Sequence, residues 1–187
     1  MRLVCERLVP ARAAGRVVPA LLLLVSCGSG PSGQEGEQPV ASTLLPVPSV
    51  AQTARVVRQV DGDTVVLRGD GPGPLPGGPT RVRLLQVDTP EVHGEQECFG
   101  PEASERTQEL LPVGASVRVQ ADERLRDRYG RTLLLLWDAQ GRSVQEVLVH
   151  EGYARVLHVA PNDLALQELT EIEQAARQAD RGLWGAC

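Results

Sequence analysis

The stretch that most limits how this chain can fold runs from Arg83 to Glu91 and reads Arg-Leu-Leu-Gln-Val-Asp-Thr-Pro-Glu. An apolar run of strand character stops at Pro90, and a guanidinium, two carboxylates and a threonine gather around the stopping point. Burying an unpaired charge costs roughly several kcal/mol, so this strand must end at a surface or a site rather than cross a core. Pro90 also pushes Thr89 into an extended conformation. Two further polar clusters belong with it: Asp61-Gly62-Asp63-Thr64 upstream and Asp127-Arg128-Tyr129-Gly130-Arg131 downstream.

Around this stretch the chain divides into three parts. Residues 1–26 carry Arg2, Arg7, Arg12 and Arg16 and then the apolar run Val17 to Ser26, the layout of a secretory signal. The run is too short for a membrane-spanning helix, which needs about 20 apolar residues. Leu24-Val25-Ser26-Cys27 has the form of a bacterial lipobox, so Cys27 is expected to be acylated and to anchor the protein at the membrane. The alternative is a secreted protein cleaved nearby; in both cases the mature protein works outside the cytoplasm. Residues 27–52 are rich in Gly, Ser, Pro, Gln and Glu without periodicity, and read as a disordered tether. As a flexible coil it would hold a domain roughly 25 to 30 Å from its anchor. Residues 53–187 are the expected folded domain.

Within that domain, Ala54–Val60 and Val65–Arg68 read as strands joined by a tight turn at Asp61-Gly62. Gly69–Pro79 reads as a mobile Gly/Pro loop, and Thr80–Val87 as a third strand. Gly100-Pro101 opens a helix with Ala103, Thr107, Leu110 and Leu111 on one face, closed by Pro112-Val113-Gly114. Ser116–Ala121 alternates as a half-buried strand, whereas Thr132–Trp137 is apolar on both faces and should be central. Ser143 and Glu146 form a capping-box pattern ahead of a short helix ended by Gly152. Asn162 or Asp163 is the expected cap of a last helix carrying Ala165, Leu169, Ile172 and Ala176. This order predicts a small α+β domain, a twisted antiparallel barrel with helices packed on it.

Charge excludes one class of function. The formal net charge is −5, and removing residues 1–26, with four Arg and one Glu, takes it to −8. A general nucleic-acid coat protein needs a positive face, so any phosphate binding must be local. All 19 basic residues are Arg, so each phosphate contact can be a bidentate fork. Cys98 and Cys187 remain once the signal and lipobox cysteines are set aside, and in an exported domain they allow one bridge. It would close a loop of about 90 residues and stabilise the fold by about 4 kcal/mol in the chain-entropy model. No cysteine or histidine spacing suggests zinc, and His93, His150 and His158 read as surface residues.

The polar clusters contain the parts of one chemistry. If their strands are neighbours, Asp63 and Asp88 give an all-oxygen site suited to a hard cation such as Ca²⁺. Arg83 and Arg131 add two forks for a phosphate, and Glu91 supplies a carboxylate able to take a proton from water. Phosphodiester hydrolysis needs a metal to polarise the phosphoryl oxygens, cations to stabilise growing charge and a base to generate hydroxide. Each motif alone has a plainer reading, as a hairpin turn, a capped turn or a solvated ion-pair cluster.

Together, from Thr53 to Trp184, they closely resemble the thermonuclease family, the staphylococcal-nuclease-like domains. The resemblance rests on Val60-Asp61-Gly62-Asp63-Thr64, Arg83-Leu84-Leu85 through Glu91, Gly100-Pro101-Glu102-Ala103, Asp127-Arg128-Tyr129-Gly130-Arg131 and Gly182-Leu183-Trp184. It implies a five-stranded OB-type barrel with three helices, and a Ca²⁺-dependent nuclease acting on DNA and RNA to leave 3′-phosphates. It further implies that Asp63 and Asp88 bind calcium by side chain and Thr89 by its carbonyl. Arg83 and Arg131 would grip the scissile phosphate, Glu91 would act as general base or water holder, and Tyr129 would contact a nucleotide phosphate or pack over the barrel rim. Asp61 would be a turn or supporting residue.

The chain departs from that family in three places. Leu157 and Val159 stand where better-known members carry tyrosines facing the base, and stacking on an aromatic is worth about 1 to 3 kcal/mol. The segment after Glu91 is acidic, with Glu95 and Glu97, and it holds Cys98, whose pairing with Cys187 suggests a stapled, exported subgroup. Strand alternation would also place Arg83 and Asp88 on opposite faces, so the strand must bend or end between them. Two other readings compete with the nuclease. One is a catalytically idle barrel that binds nucleic acid or another partner at the cell surface. The other is an acidic calcium-binding surface protein, which leaves the arginines unused. A monomer is expected, since no apolar stripe is left for an interface.

Overall fold

The computed structural model describes residues 45–187; the signal segment, Cys27 and residues 28–44 of the expected tether lie outside the described residues. Chain order is β1 (Gln52–Gln59), β2 (Thr64–Asp70), β3 (Thr80–Leu84), β4 (Val87–Asp88), α1 (Gly100–Leu110), β5 (Ser116–Gln120), β6 (Thr132–Trp137), α2 (Val144–His150), β7 (Arg155–Val156), α3 (Leu166–Gln178) and α4 (Leu183–Ala186). Strands β1, β2, β3, β6 and β5 close in that order into the expected five-stranded barrel, while β4 and β7 form a separate small ladder.

The barrel is mixed, not antiparallel throughout. β3 and β6 run parallel, with Val82 beside Thr132 and Leu84 beside Leu134. Strand directions cannot alternate all the way round a closed ring with an odd number of members, so one parallel pair is forced once five strands close. Hydrophobic alternation carries no direction, which is why the sequence pattern alone did not reveal the pair.

β6 is buried at all six positions, as its two-sided apolar pattern requires. One face meets the barrel interior and the other lies under α2. Gln145, fully buried on α2, donates from Nε2 to Leu134 O at 3.0 Å and accepts from Leu136 N at 3.1 Å. Its amide thus pairs backbone groups that would otherwise be buried without partners. On α1 the expected stripe is buried, with Ala103, Thr107, Leu110 and Leu111 all under 5% exposed.

Elsewhere tertiary contacts replaced the local signal. Asn162 and Asp163 do not cap α3, which starts a turn later with Ala165 at its N-cap and no side-chain cap bond. Asn162 is fully buried and its side chain is engaged by Arg124, accepting from the Arg124 N at 2.7 Å and donating to the Arg124 O at 3.1 Å. The 69–79 loop has an anchor: Leu75 is 2% exposed, and the Gln52 side chain bonds Leu75 N, Leu75 O and Gly71 O. At the N-terminal side, Leu45 and Val47, within the expected tether, pack against the core, and Leu45 O accepts from Trp137 Nε1 at 2.8 Å. The bond from the indole to Leu45 spans 92 positions, a contact that composition does not announce. Among the described residues no helix is long and apolar enough to cross a membrane.

Candidate active site

The site is built on two turns and one kink. The first turn joins β1 to β2, where Val60 N and Asp61 N both donate to Thr64 O and Asp61 Oδ1 accepts from Asp63 N at 3.1 Å. Gly62 makes room for the segment packed against it. A Cβ there would lie 2.5 Å from Thr89 Oγ1, so only glycine lets the strand carrying Thr89 close on this turn. Thr107 of α1 donates to Gly62 O at 2.7 Å and fixes the turn from outside. Asp63 is thereby buried to 7% exposure, accepting from Thr64 Oγ1 at 3.1 Å and Thr89 N at 3.2 Å. Burial pushes its carboxyl up to about 6, against the pull of Arg83; Asp61 adds to the rise, and bonds from Thr89 and Thr64 oppose it.

The kink answers the alternation problem at Asp88. The expected third strand ends at Leu84, and Gln86 adopts φ 64, in the left-handed region, before β4 resumes at Val87. That conformation costs a residue with a Cβ about 1 kcal/mol or more, and here tertiary bonds hold it. Gln86 is 1% exposed, donates to Asn162 O at 3.2 Å and accepts from Ala165 N at 3.1 Å. With the strand turned, Arg83 and Asp88 meet. Arg83 Nη2 lies 2.9 Å from Asp63 Oδ2 and 2.7 Å from Asp88 Oδ1, and Nη1 donates to Leu84 O and Val87 O. Two carboxylates 25 residues apart in sequence therefore converge on one nitrogen.

The second turn presents Arg131. Asp127 Oδ1 accepts from Tyr129 N and Arg131 N, each at 2.9 Å, and its Oδ2 accepts from Arg131 Nε at 2.7 Å. Asp127 thus holds Arg131 through N and Nε, and the terminal nitrogens make no hydrogen bond among the described residues. Burial pushes the Asp127 carboxyl up, but bonds from Arg131 and Tyr129 outweigh it and hold the group below its ordinary value. Tyr129 does not pack over the rim: it is 68% exposed, with the Arg128 and Arg131 guanidinium carbons 4.7 Å and 5.6 Å from its ring centre. In the sequence Asp127 is only one member of a cluster, yet it orients the arginine. The signal is its spacing, four residues before Arg131 across a glycine.

The same Asp-x-x-Gly-Arg turn recurs at 138–142, beyond the other end of β6. There Asp138 Oδ1 accepts from Gln140 N and Arg142 N, and Oδ2 from Arg142 Nε at 2.8 Å. Only the first copy shares a cavity with Arg83. Parallel pairing sets Val82 beside Thr132 and Arg83 beside Leu133, so the 127–131 turn enters β6 two residues before the partner of Arg83.

Arg83, Asp127, Tyr129 and Arg131 line one cavity of about 330 Å³, floored by Leu84, Leu85, Val87 and Leu133. Leu157 and Val159 form its far wall, brought there by the β4–β7 ladder and by Leu157 N donating to Gln86 O at 3.0 Å. Gln86, Arg124 and Arg128 also line it, though no sequence signal marks them as site residues. Glu91 lies outside this contact set. Its side chain is exposed and has no hydrogen bond or ion pair among the described residues, while its backbone is held by Glu97. His93, His150 and His158 are exposed, and Cys98 and Cys187 are joined in a disulfide.

The donor set suits a hard cation. A positive nitrogen already lies between two carboxylate oxygens, and all side-chain donors there are oxygen. Among the described residues no cluster of three or more His, Cys, Asp or Glu side chains converges, so a cation here would take two carboxylates and complete its shell with carbonyl or water oxygens.

Comparison with known proteins is consistent with this architecture. The family model for the staphylococcal nuclease homologue matches residues 81–186. A thermonuclease of Staphylococcus hyicus is 32% identical over 136 residues, covering 71% of this chain and 76% of that protein. Endonuclease YncB of Bacillus subtilis is 36% identical over 132 residues, 68% of this chain and 59% of that protein. The SPbeta prophage-derived endonuclease YokF of the same organism is 36% identical over 132 residues, 68% of this chain but 42% of its own length.

Proposed function

The chain belongs to the staphylococcal nuclease homologue family, and we propose that it is a calcium-dependent nuclease that hydrolyses phosphodiester bonds of DNA and RNA to 3′-phosphate products. One observation carries the calcium and the phosphate together: Asp63 and Asp88 meet at Arg83, and Arg83 lines a cavity together with Arg131. Asp63 and Asp88 would hold the cation, with Thr89 beside them. When bound, the ion would supply positive charge next to the phosphoryl oxygens.

The chain's own residues do the rest. Arg131, steered through Nε by Asp127, directs its terminal nitrogens at a phosphate in the cavity, which Arg83 also lines. Charge gathering on the phosphoryl oxygens is stabilised by these preorganised guanidinium groups. Glu91, with an unengaged carboxylate, takes the proton from the attacking water or holds that water in line. Tyr129 and Arg128 grip a neighbouring phosphate at the rim. Leu157 and Val159 offer a nucleobase apolar contact without aromatic stacking, so nucleotide affinity is lower than with tyrosines there.

The test is cleavage of a labelled single-stranded DNA by the purified protein in calcium and in chelator, with Glu91→Gln and Arg131→Ala alongside. Calcium-dependent products ending in 3′-phosphate are expected, with turnover down by at least ~10² in Arg131→Ala. No cleavage by the folded protein would leave a nucleic-acid-binding module, which a gel shift with the same oligonucleotide would detect. The protein acts outside the cytoplasm as a monomer held by lipid on Cys27; metabolic labelling with a radioactive fatty acid should mark the wild type and not Cys27→Ala.

A further inference from the structure

Glu91 presents a positioning problem. A base must be held within a fraction of an ångström of its working place, yet this carboxylate is exposed and bonded to nothing among the described residues. Residues 91–97 carry no helix or strand, and His93 to Glu97 are all exposed, the composition of a segment that opens easily. What holds the residue is its backbone, and one neighbour takes both ends of it. Glu91 N donates to Glu97 Oε2 at 3.2 Å, and Glu91 O accepts from Glu97 N at 3.0 Å.

Glu97 is in turn held from its C-terminal side. The next residue, Cys98, is bonded to Cys187, the last residue of the chain. Cys187 N donates to Leu183 O at 3.1 Å, Leu183 is buried to 2%, and Leu183 N donates to Gly152 O at 2.9 Å. Gly152 and Gly182 touch backbone to backbone, since a Cβ on Gly182 would lie 2.3 Å from Gly152 O. The cystine therefore ties the Glu91 loop to a terminus docked through Gly182 and Leu183. Gly100 presses on the same carbonyl, for a Cβ there would lie 2.5 Å from Glu91 O.

We propose that the Cys98–Cys187 disulfide and Glu97 are positioning residues for Glu91, acting through the paired backbone bonds, so that the bridge serves turnover as well as stability. The inference rests on Glu91 being the base or water holder, and it adds a role for two cysteines that phosphate binding does not use. Because Arg83 and Arg131 lie on β3 and the 127–131 turn, away from this tether, substrate binding should not depend on it.

The experiment compares the disulfide-bonded protein with Cys98→Ser/Cys187→Ser, Glu97→Ala and Glu97→Gln, each with and without Glu91→Gln. The assay is calcium-dependent cleavage of a single-stranded DNA, run at a temperature where circular dichroism shows the fold intact. Loss of kcat by roughly tenfold or more at nearly unchanged KM is expected for the double serine variant and for Glu97→Ala. Glu97→Gln, which keeps an acceptor for Glu91 N, should retain most of the rate. In the Glu91→Gln background the same changes should alter kcat by no more than about twofold, because groups acting through one residue are not additive. Unchanged kcat in the folded variants, a rise in KM alone, or an equal loss in the Glu91→Gln background would overturn the inference while leaving the nuclease intact. If the double serine variant does not fold, the two Glu97 variants, which keep the bridge, decide by the same criteria. A disulfide-bonded wild type that cleaves nothing would overturn both readings.

Discussion

Replacing Asp63 with Asn should make the metal-free protein more stable at neutral pH while abolishing its activity. The sign comes from burial. Asp63 is 7% exposed, and its carboxyl is lifted from an ordinary 3.8 to about 6 with burial as the largest cause. The folded state thus holds the proton more tightly than the unfolded chain does, and between those two values stability falls as pH rises. At roughly 1.4 kcal/mol per pH unit, the wild type gives up about 3 kcal/mol between pH 4 and 7 on account of this one group. Asparagine fits the same contacts. One oxygen can accept from Thr89 N and face Arg83, its amide can donate to Thr64 Oγ1, and Arg83 keeps Asp88 at 2.7 Å. Urea unfolding of both proteins in chelator, from pH 4 to 7.5, should show similar stabilities at the acid end and an advantage for Asp63→Asn that grows to about 3 kcal/mol at the neutral end. If the Arg83 ion pair outweighed burial, the sign would reverse, with the variant losing about 3 to 5 kcal/mol at neutral pH as a broken buried pair does. A variant less stable than wild type at pH 7.5, or a gap that does not change with pH, would refute the reasoning.

The same contacts lead to three further outcomes. Calcium at 100 times its dissociation constant should stabilise the wild type by about 2.7 kcal/mol at pH 7 and barely affect Asp63→Asn, read as the shift in urea midpoint. Asp127→Ala removes the acceptor for Arg131 N and Nε, so it should destabilise the turn by about 1 to 3 kcal/mol and lower kcat for DNA cleavage, with conservative Asp127→Asn retaining part of both. Leu157→Tyr, at a position 41% exposed on the cavity wall, should tighten binding by about 1 to 3 kcal/mol, seen as a lower KM for single-stranded DNA with little change in stability.

The elements of the fold are legible in the sequence because their signals are local. β6 shows itself by an apolar run on both faces, α1 by proline in its first turn and the Ala103, Thr107, Leu110 stripe, and the 60–64 turn by Asp-Gly. The cap of α3 is misleading because Asn162 has the right chemistry for a cap but is engaged by Arg124, 38 residues away. The kink at Gln86 is foreseeable only as a necessity, since the bonds that hold it reach Asn162 and Ala165 on another part of the chain.

The two Asp-x-x-Gly-Arg turns mark the boundary between what the sequence settles and what the folded chain decides. Both give the same hydrogen bonds, with the aspartate accepting from the backbone and Nε of an arginine four residues on, because every partner lies within five residues. The sequence by itself therefore determines that each turn forms and presents a fixed guanidinium. Which arginine faces a phosphate site is another matter. Arg131 reaches the cavity because an odd ring of strands must contain one parallel pair, and that pair sets β6 beside β3 with Leu133, two residues past Arg131, next to Arg83, while Arg142 is carried to the other end of the same strand. A short peptide fixes its own turn, but only closure of the barrel brings carboxylates and guanidinium groups from positions 63, 83, 88 and 131 to one place.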